Sequence, residues 1–442
     1  MTARSSLRIA LVAVGTRGDV QPMIALALRL RERGHDVTLF TPADFAPWIT
    51  GLGFAHVAVS RPMQAWFEEL SERGVGKLEQ LRELSAFMRK DVVEQIAALD
   101  DVLPRFDVVV GTGMVPGAAA VAVARRLRYL FAFFAPVMIP SDEHAPFMIP
   151  VAGLPRVANR ALWSLAMWQS LRVLRAGIDP HRAKLGLPPV SSGPELHPSL
   201  ALCAWDVELA SVPSVLRSFL DAPTRAFSEL RPVGALVLDD ERPLPAALAR
   251  FLDEGEAPVY LGFGSMVDED PAATLRAVRA VVAKLGTRVV LGKGWTRKDP
   301  GELPPSCFVV EDVPHAKLFA RCLAVVHHGG AGTTSTAARA GAPQVVVPLV
   351  ADQFFWGRRV AELGLGPKAI PKARLDGERL VRAVGAVLSD EGMAARAREI
   401  AAQLALVDGA GAAVRVIEGV AAGEGPVVQD PSTPSRSSPA TS

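Results

Sequence analysis

Residues 7–14 form a nearly continuous apolar run, the pattern of a strand buried on both faces of a parallel sheet. A glycine-bearing loop over 15–21 follows, and Pro22 then predicts the start of a helix, since its fixed φ suits a first turn. Met23, Ile24, Leu26, Ala27, Leu28 and Leu30 keep that helix apolar until Gly34, and 37–41 reads as the next strand. This βαβ unit is followed by expected strands at 107–110 and 129–134 around an Ala/Val-rich helix at 116–126. Residues 136–200 break the rhythm with prolines and one broad helical surface, Leu162, Trp163, Leu165, Met167, Trp168, Leu171 and Leu174, edged by Arg160, Arg172 and Arg175. Alternation resumes with strands at 258–263, 288–291, 307–310, 324–327 and 344–348.

Two α/β domains, each a parallel sheet covered on both faces, are therefore predicted. The first spans 1–236, a polar, proline-bearing linker 237–245, and the second 246–424. The Pro/Ser/Thr-rich end, 425–442, has no apolar periodicity and is expected to be disordered. Two such domains facing each other leave a deep cleft where ligands gather at the carboxyl ends of strands.

Length agrees with two cores, since 442 residues exceed what one usually holds. Lys plus Arg number 48 and Asp plus Glu 46, so charge gives no reason to expect nucleic acid. Cys203, Cys307 and Cys322 are scattered, fitting neither a disulfide framework nor a metal knuckle, and point to a reducing compartment. Apolar runs fall short of the roughly 18 residues of a spanning helix, and the first one reads as a strand rather than a signal peptide. A cytoplasmic chain is expected, with arginines beside the aromatic helix suited to peripheral contact with an anionic membrane.

The richest chemistry lies between His327 and Gln353. A strand runs into Gly329-Gly330-Ala331-Gly332, and Thr333 or Thr334 starts a helix. Glycines, free amides and a helix N-terminus make an anion site fit for a diphosphate, with His328 as a side-chain donor. Asp352 and Gln353 follow the next strand and offer an acceptor and an amide for sugar hydroxyls. A plain glycine-rich turn with structural histidines is the alternative reading. Adjacent His327 and His328 cannot share one metal, and no other cluster has ligand spacing. Gly262-Phe263-Gly264-Ser265 departs from GxGxxG, which disfavours a nicotinamide cofactor.

HHGGAGTT followed by ADQ resembles the donor signature of glycosyltransferase family 1, above all that of the sterol glucosyltransferases and the bacterial macrolide and glycopeptide enzymes. The resemblance implies the GT-B fold, two facing doubly wound Rossmann-like domains. It also implies a nucleotide-sugar co-substrate, inversion at the anomeric carbon, and neither metal nor other cofactor. By position it puts the diphosphate on His328, Gly330, Gly332, Thr333 and Thr334, with Gly264 and Ser265 opposite, and the sugar on Asp352 and Gln353. Val313 matches the position whose backbone reads the base. The base-stacking tryptophan of plant relatives is missing there, so Trp295 is either its substitute or a packed loop residue.

The loop GTRGDVQP is similar to the aspartate version found in sterol and glycopeptide members, which makes Asp19 the candidate base; capping the following helix is the competing role. Phe134, Met138, Phe147 and Trp163 are candidate acceptor contacts or plain core, and His144 is a candidate or a solvated loop residue. The expected reaction moves glucose from UDP-glucose to a hydroxyl of a lipophilic sterol, polyketide or other natural product. A TDP-deoxysugar enzyme is the nearest alternative. A nucleotide-sugar epimerase needs no acceptor pocket and is disfavoured by the aromatic region, and a non-catalytic sugar-nucleotide binder by the presence of Asp19.

Overall fold

The computed structural model describes residues 6–62, 66, 69, 73, 77–222, 225–263, 271–293 and 303–424. Gly264, Ser265, Trp295 and the segment 425–442 lie outside the described residues.

The first sheet is built from β1 (Arg8–Val14), β2 (Asp36–Thr41), β3 (Ala55–Ala58), β4 (Val108–Gly113), β5 (Tyr129–Phe133), β6 (Leu200–Cys203) and β7 (Glu229–Pro232). They are parallel, in the order β3-β2-β1-β4-β5-β6-β7. The second sheet holds β8 (Val259–Gly262), β9 (Val289–Gly292), β10 (Cys307–Val310), β11 (Ala324–His327) and β12 (Gln344–Val346), also parallel, in the order β10-β9-β8-β11-β12. Ile9 to Val14 on β1 and Ala324 to His327 on β11 are fully buried, as strands covered on both faces must be. In each sheet the strand order reverses beside the first strand, at β1/β4 and β8/β11. A doubly wound sheet opens a ligand crevice at such a switch point.

Five helices position the site: α1 (Arg17–Glu32), α2 (Arg156–Lys184), α3 (Ala331–Arg339), α4 (Gln353–Glu362) and α5 (Gly409–Ala421). Residues 233–245 carry no helix or strand and lead into the second sheet. The last helix does not stay in the second domain, as the sequence suggested. Ala413, Val414 and Ile417 of α5 join the core of the first sheet with Ile24 and Leu26. Arg33 and His35 both meet Glu418 there, at 3.1 and 3.2 Å. The chain thus crosses between the domains twice, and the two crossings touch. A Cβ on Gly409 would lie 2.2 Å from the Ala235 carbonyl oxygen, and one on Gly234 would lie 2.4 Å from Val407. Residues 391–421 are apolar enough to suggest a membrane span. They are two helices, Glu391–Leu404 and α5, both with faces buried in the protein.

Candidate active site

Asp19 sits in the turn that leaves β1. Thr16 caps α1, its hydroxyl accepting from the Gly18 amide at 3.2 Å, and Asp19 returns the favour with Oδ2 accepting from the Thr16 amide at 2.8 Å. This reciprocal capping starts the helix at Arg17. The loop expected up to Gln21 is therefore helical, and Pro22 lies inside α1 rather than opening it. A Cβ at Gly15 would come within 2.1 Å of Asp19 Oδ2, and one at Gly113, the end of β4, within 3.3 Å of Oδ1. The carboxyl group is boxed between two glycines at the switch point. Burial pushes its pKa up to about 6 against the pull of the Thr16 bonds. No hydrogen bond to Oδ1 comes from the described residues.

Across the cleft β11 ends at His327. This buried imidazole accepts from the Gly329 amide on Nδ1 at 3.0 Å and donates from Nε2 to Gln344 Oε1 at 2.8 Å, so it is a neutral core group. His328 points the other way. Its Nδ1 is buried without a partner among the described residues, and burial, then the neighbouring His315, lower its pKa to about 4. Gly329 adopts φ +91° and passes so close to α4 that a Cβ would meet the Gln353 carbonyl oxygen at 2.9 Å. Helix α3 begins at Ala331 with Gly330 as its cap, two residues before Thr333. The first helical amide bonded within the turn is that of Thr334, to Gly330 O at 2.9 Å. The amides of 330–333 make no hydrogen bond among the described residues, and the space over Gly332 is open. Together they form the N-terminal positive pole of a helix. Thr333 stands at this mouth half-buried. Thr334 does not: it is buried, and its hydroxyl donates to Gly330 O at 2.9 Å, so it braces the turn.

Asp352 precedes α4 and accepts the Trp356 indole N–H at 3.1 Å. Burial first, and then the charge of Asp19, raise its pKa to about 6, so the two carboxyl groups feel each other across the cleft. Ala351 beside it holds φ +55°, a strained conformation for a residue with a Cβ. Gln353 is buried, with Oε1 accepting from the Leu349 and Val350 amides at 2.8 and 3.1 Å. Its carbonyl therefore holds a loop, and only its amide nitrogen is left for a ligand. Val313 is buried in the core of the second domain and can offer only its backbone.

A cavity of about 160 Å³ opens beside Asp352, lined from the first domain by His144, Phe147, Ile149 and Asn159 and from the second by Phe354 and Arg358. His144 Nδ1 faces the Ala145 carbonyl at 3.1 Å, so that nitrogen carries the proton. Nε2 is buried and unpartnered among the described residues, as is Asn159 Oδ1. Burial lowers the His144 pKa, leaving a neutral ring with a free lone pair. Of the acceptor candidates, His144 and Phe147 line this cavity. Trp163 is buried behind it, donating to His144 O at 3.0 Å, and Met138 packs partly buried in the first-domain core. Phe134 is also core, on the α1 side of the sheet with Leu130 and Ala132. Side chains alternate between faces along a strand, and Phe134, on that α1 face, is turned into the core.

Residues 9–129 match the glycosyltransferase family 28 N-terminal domain, and residues 276–411 the erythromycin biosynthesis protein CIII-like C-terminal domain. Vancomycin aglycone glucosyltransferase of Amycolatopsis orientalis is 36% identical over 81% of this chain and 85% of its own length. The chain belongs to glycosyltransferase family 1. This glycosyltransferase is also 33% identical to sterol 3-beta-glucosyltransferase UGT80B1 of Arabidopsis thaliana, over 92% of the chain and 67% of that protein. It shares the GT-B fold with spinosyn rhamnosyltransferase SpnG complexed with thymidine diphosphate, at 22% identity and TM-score 0.62 over 93% and 100% of the two chains.

Sequence reasoning did not foresee the contacts that hold the lobes of the glycosyltransferase together. Arg17, two residues from Asp19, reaches across to Asp312 beside Val313 at 3.0 Å, and Arg242 meets the same carboxylate at 2.8 Å. Asp206, after β6, is fully buried and accepts from Ser335 at 2.7 Å and Arg339 at 2.5 Å, both on α3. No spacing links these residues, and only the tertiary fold makes them partners.

Proposed function

We propose that this protein transfers glucose from UDP-glucose to a hydroxyl of a lipophilic natural product or sterol, inverting the anomeric centre without a metal. The observation that carries the reading is the opposition of two surfaces: the free amides at the start of α3 with His328, and the boxed carboxyl of Asp19. The acceptor oxygen attacks the anomeric carbon while Asp19 Oδ1 takes its proton. The bond from that carbon to the diphosphate oxygen breaks, and its electron pair leaves with the nucleoside diphosphate. One in-line displacement inverts the centre. The charge developing on the leaving group falls on preorganised amides and the neutral His328 donor, the usual source of the largest catalytic term. Asp352 and the Gln353 amide nitrogen hold the sugar, the Val313 backbone faces the base, and Thr333 and Gly332 border the diphosphate.

The cavity beside Asp352 supports an apolar acceptor with polar substituents. Its walls are Phe147, Ile149, Phe354 and Phe355, and its two unpartnered atoms, His144 Nε2 and Asn159 Oδ1, are both hydrogen-bond acceptors. A hydroxylated polycyclic or macrocyclic ligand supplies the donors. The relatives named for vancomycin aglycone and for a sterol agree with that class.

A second reading, a TDP-deoxysugar donor, is favoured by the engaged carbonyl of Gln353, which leaves fewer groups for sugar hydroxyls, and by the thymidine diphosphate held by SpnG. Slow hydrolysis and transfer assays with UDP-glucose, TDP-glucose and a TDP-deoxysugar decide between them. Turnover is expected with UDP-glucose and undiminished by a chelator. Turnover with the deoxysugar alone makes the second reading correct, and turnover with none of the three sinks both.

A further inference from the structure

The outer face of α2 is an apolar feature that the site leaves unused. Val157, Leu165 and Trp168 follow one another at helical spacing, and Met148 and Val151 are exposed on the preceding loop. All five are between 49% and 74% exposed. Soluble surfaces scatter such residues singly, and a contiguous set marks a contact. The same helix is one-sided in charge. From 156 to 178 it carries Arg156, Arg160, Arg172 and Arg175 and no acidic residue. Arg160 and Arg175 are paired with Asp142 and Asp179, whereas Arg172 lies over the Trp168 ring at 5.0 Å, and neither it nor Arg156 meets a carboxylate among the described residues.

The inner face of α2 is fixed. Trp163, Leu174 and Ile178 are buried, and Asn159 ties the helix to the 142–154 loop through Asp142 O at 3.0 Å. That loop is also a wall of the acceptor cavity, with Phe147, Ile149, Pro150 and Val151 facing it. The exposed apolar residues of α2 are thus on the element that this loop, and with it the lip of the cavity, is tied to.

We propose that this face docks on an anionic phospholipid bilayer, with Leu165, Trp168, Val157 and the 148–151 lip in the headgroup layer and Arg156 and Arg172 on the phosphates. A rigid helix with an apolar stripe, a tryptophan and flanking arginines has the chemistry of an interfacial anchor. The arginines without carboxylates favour a negatively charged surface over an electroneutral protein face. Docking brings the cavity mouth to the membrane, so an acceptor dissolved in lipid enters without crossing water. This last step rests on the lipophilic acceptor proposed above, and the docking does not.

The test is flotation of the full chain, without donor or acceptor, on vesicles of phosphatidylglycerol and phosphatidylcholine and on vesicles of phosphatidylcholine alone. Binding is expected on the first, weak on the second, and lost near 1 M salt, where screening shortens to roughly 3 Å. Leu165→Ser with Trp168→Ser should weaken it by about tenfold or more. Arg156→Glu and Arg172→Glu should each weaken it by about fivefold. All variants should keep wild-type affinity for the nucleoside diphosphate, which shows that they are folded. Failure to float on either vesicle overturns the proposal, as does equal flotation of the serine variant. Self-association in solution that the serine variant abolishes, without vesicle binding, gives the face to a second copy and overturns it too. Flotation as expected with no transfer to any lipophilic acceptor leaves docking standing and rejects the acceptor reading alone.

Discussion

In Asp19 one oxygen caps α1 and the other is left open, while burial raises the proton affinity of both to about 6. A base must be ionised, so kcat/KM should rise with pH through about 6 and level off above it, and a pH–rate profile measures the limb. Asp19→Asn keeps the capping acceptor and loses the proposed base. Turnover should fall by about 10²-fold or more with the affinity for nucleoside diphosphate unchanged. The same shift has a stability sign. The folded pKa lies above the unfolded value near 3.9, so the folded state binds the proton more tightly and stability falls as pH rises from about 4 to 6. The asparagine variant should then be more stable than the parent by up to about 3 kcal/mol at pH 7.5, with the gap closing below about pH 4 in thermal unfolding. The loop around Asp19 was legible in sequence as a motif. Its free oxygen was not, because that depends on Gly113, brought alongside by the pairing of β1 with β4. Gln353 gives the same lesson in reverse: its residue type is readable, but the engagement of its carbonyl by the 349 and 350 amides is not.

Helix α3 shows what periodicity sees at the level of an element and what it misses. The strand, glycines and helix at 324–339 were readable, but the threonines looked like the helix start. Gly330 takes the cap, and the Thr334 hydroxyl bonds back to its carbonyl. The shift frees the amides of 330–333 and makes them, rather than threonine side chains, the main donors for the diphosphate proposed to bind there. His328→Ala should therefore weaken nucleoside diphosphate binding by only about tenfold in calorimetry, one hydrogen bond out of several. A loss of several hundredfold would mean that the imidazole, not the helix, dominates. Strands β3, β6 and β7 escaped notice for simpler reasons. β3 and β7 are half-exposed edge strands without an apolar run, and β6 is a short buried strand directly after the proline-broken stretch where the rhythm is lost.

On the scale of the whole molecule, alternating strands and helices revealed two lobes, while the bonds that join them left no trace in the pattern. Asp206 is the strongest of these joints. Asp206→Ala would leave Arg339, which is 19% exposed, its bonds to the Leu404 and Val407 carbonyls but not its carboxylate partner, and should lower stability by about 3 kcal/mol in denaturant unfolding. It should also raise KM for the donor more than it lowers kcat, because it loosens the helix that carries the proposed diphosphate site. The return of α5 to the first lobe was invisible for the same reason: its apolar face reads alike whichever core it enters. That return also governs how the enzyme can move. Two threads join the lobes and are pinched together where Gly234 and Ala235 lie against Val407 and Gly409, with Asp206 bonded to Ala235 at 3.1 Å in the same place. Such a knot leaves the halves no freedom to slide apart. Rotation about it is then the motion left to them, and any such rotation that separates the lobes at Arg17 and Asp312 has to break that ion pair.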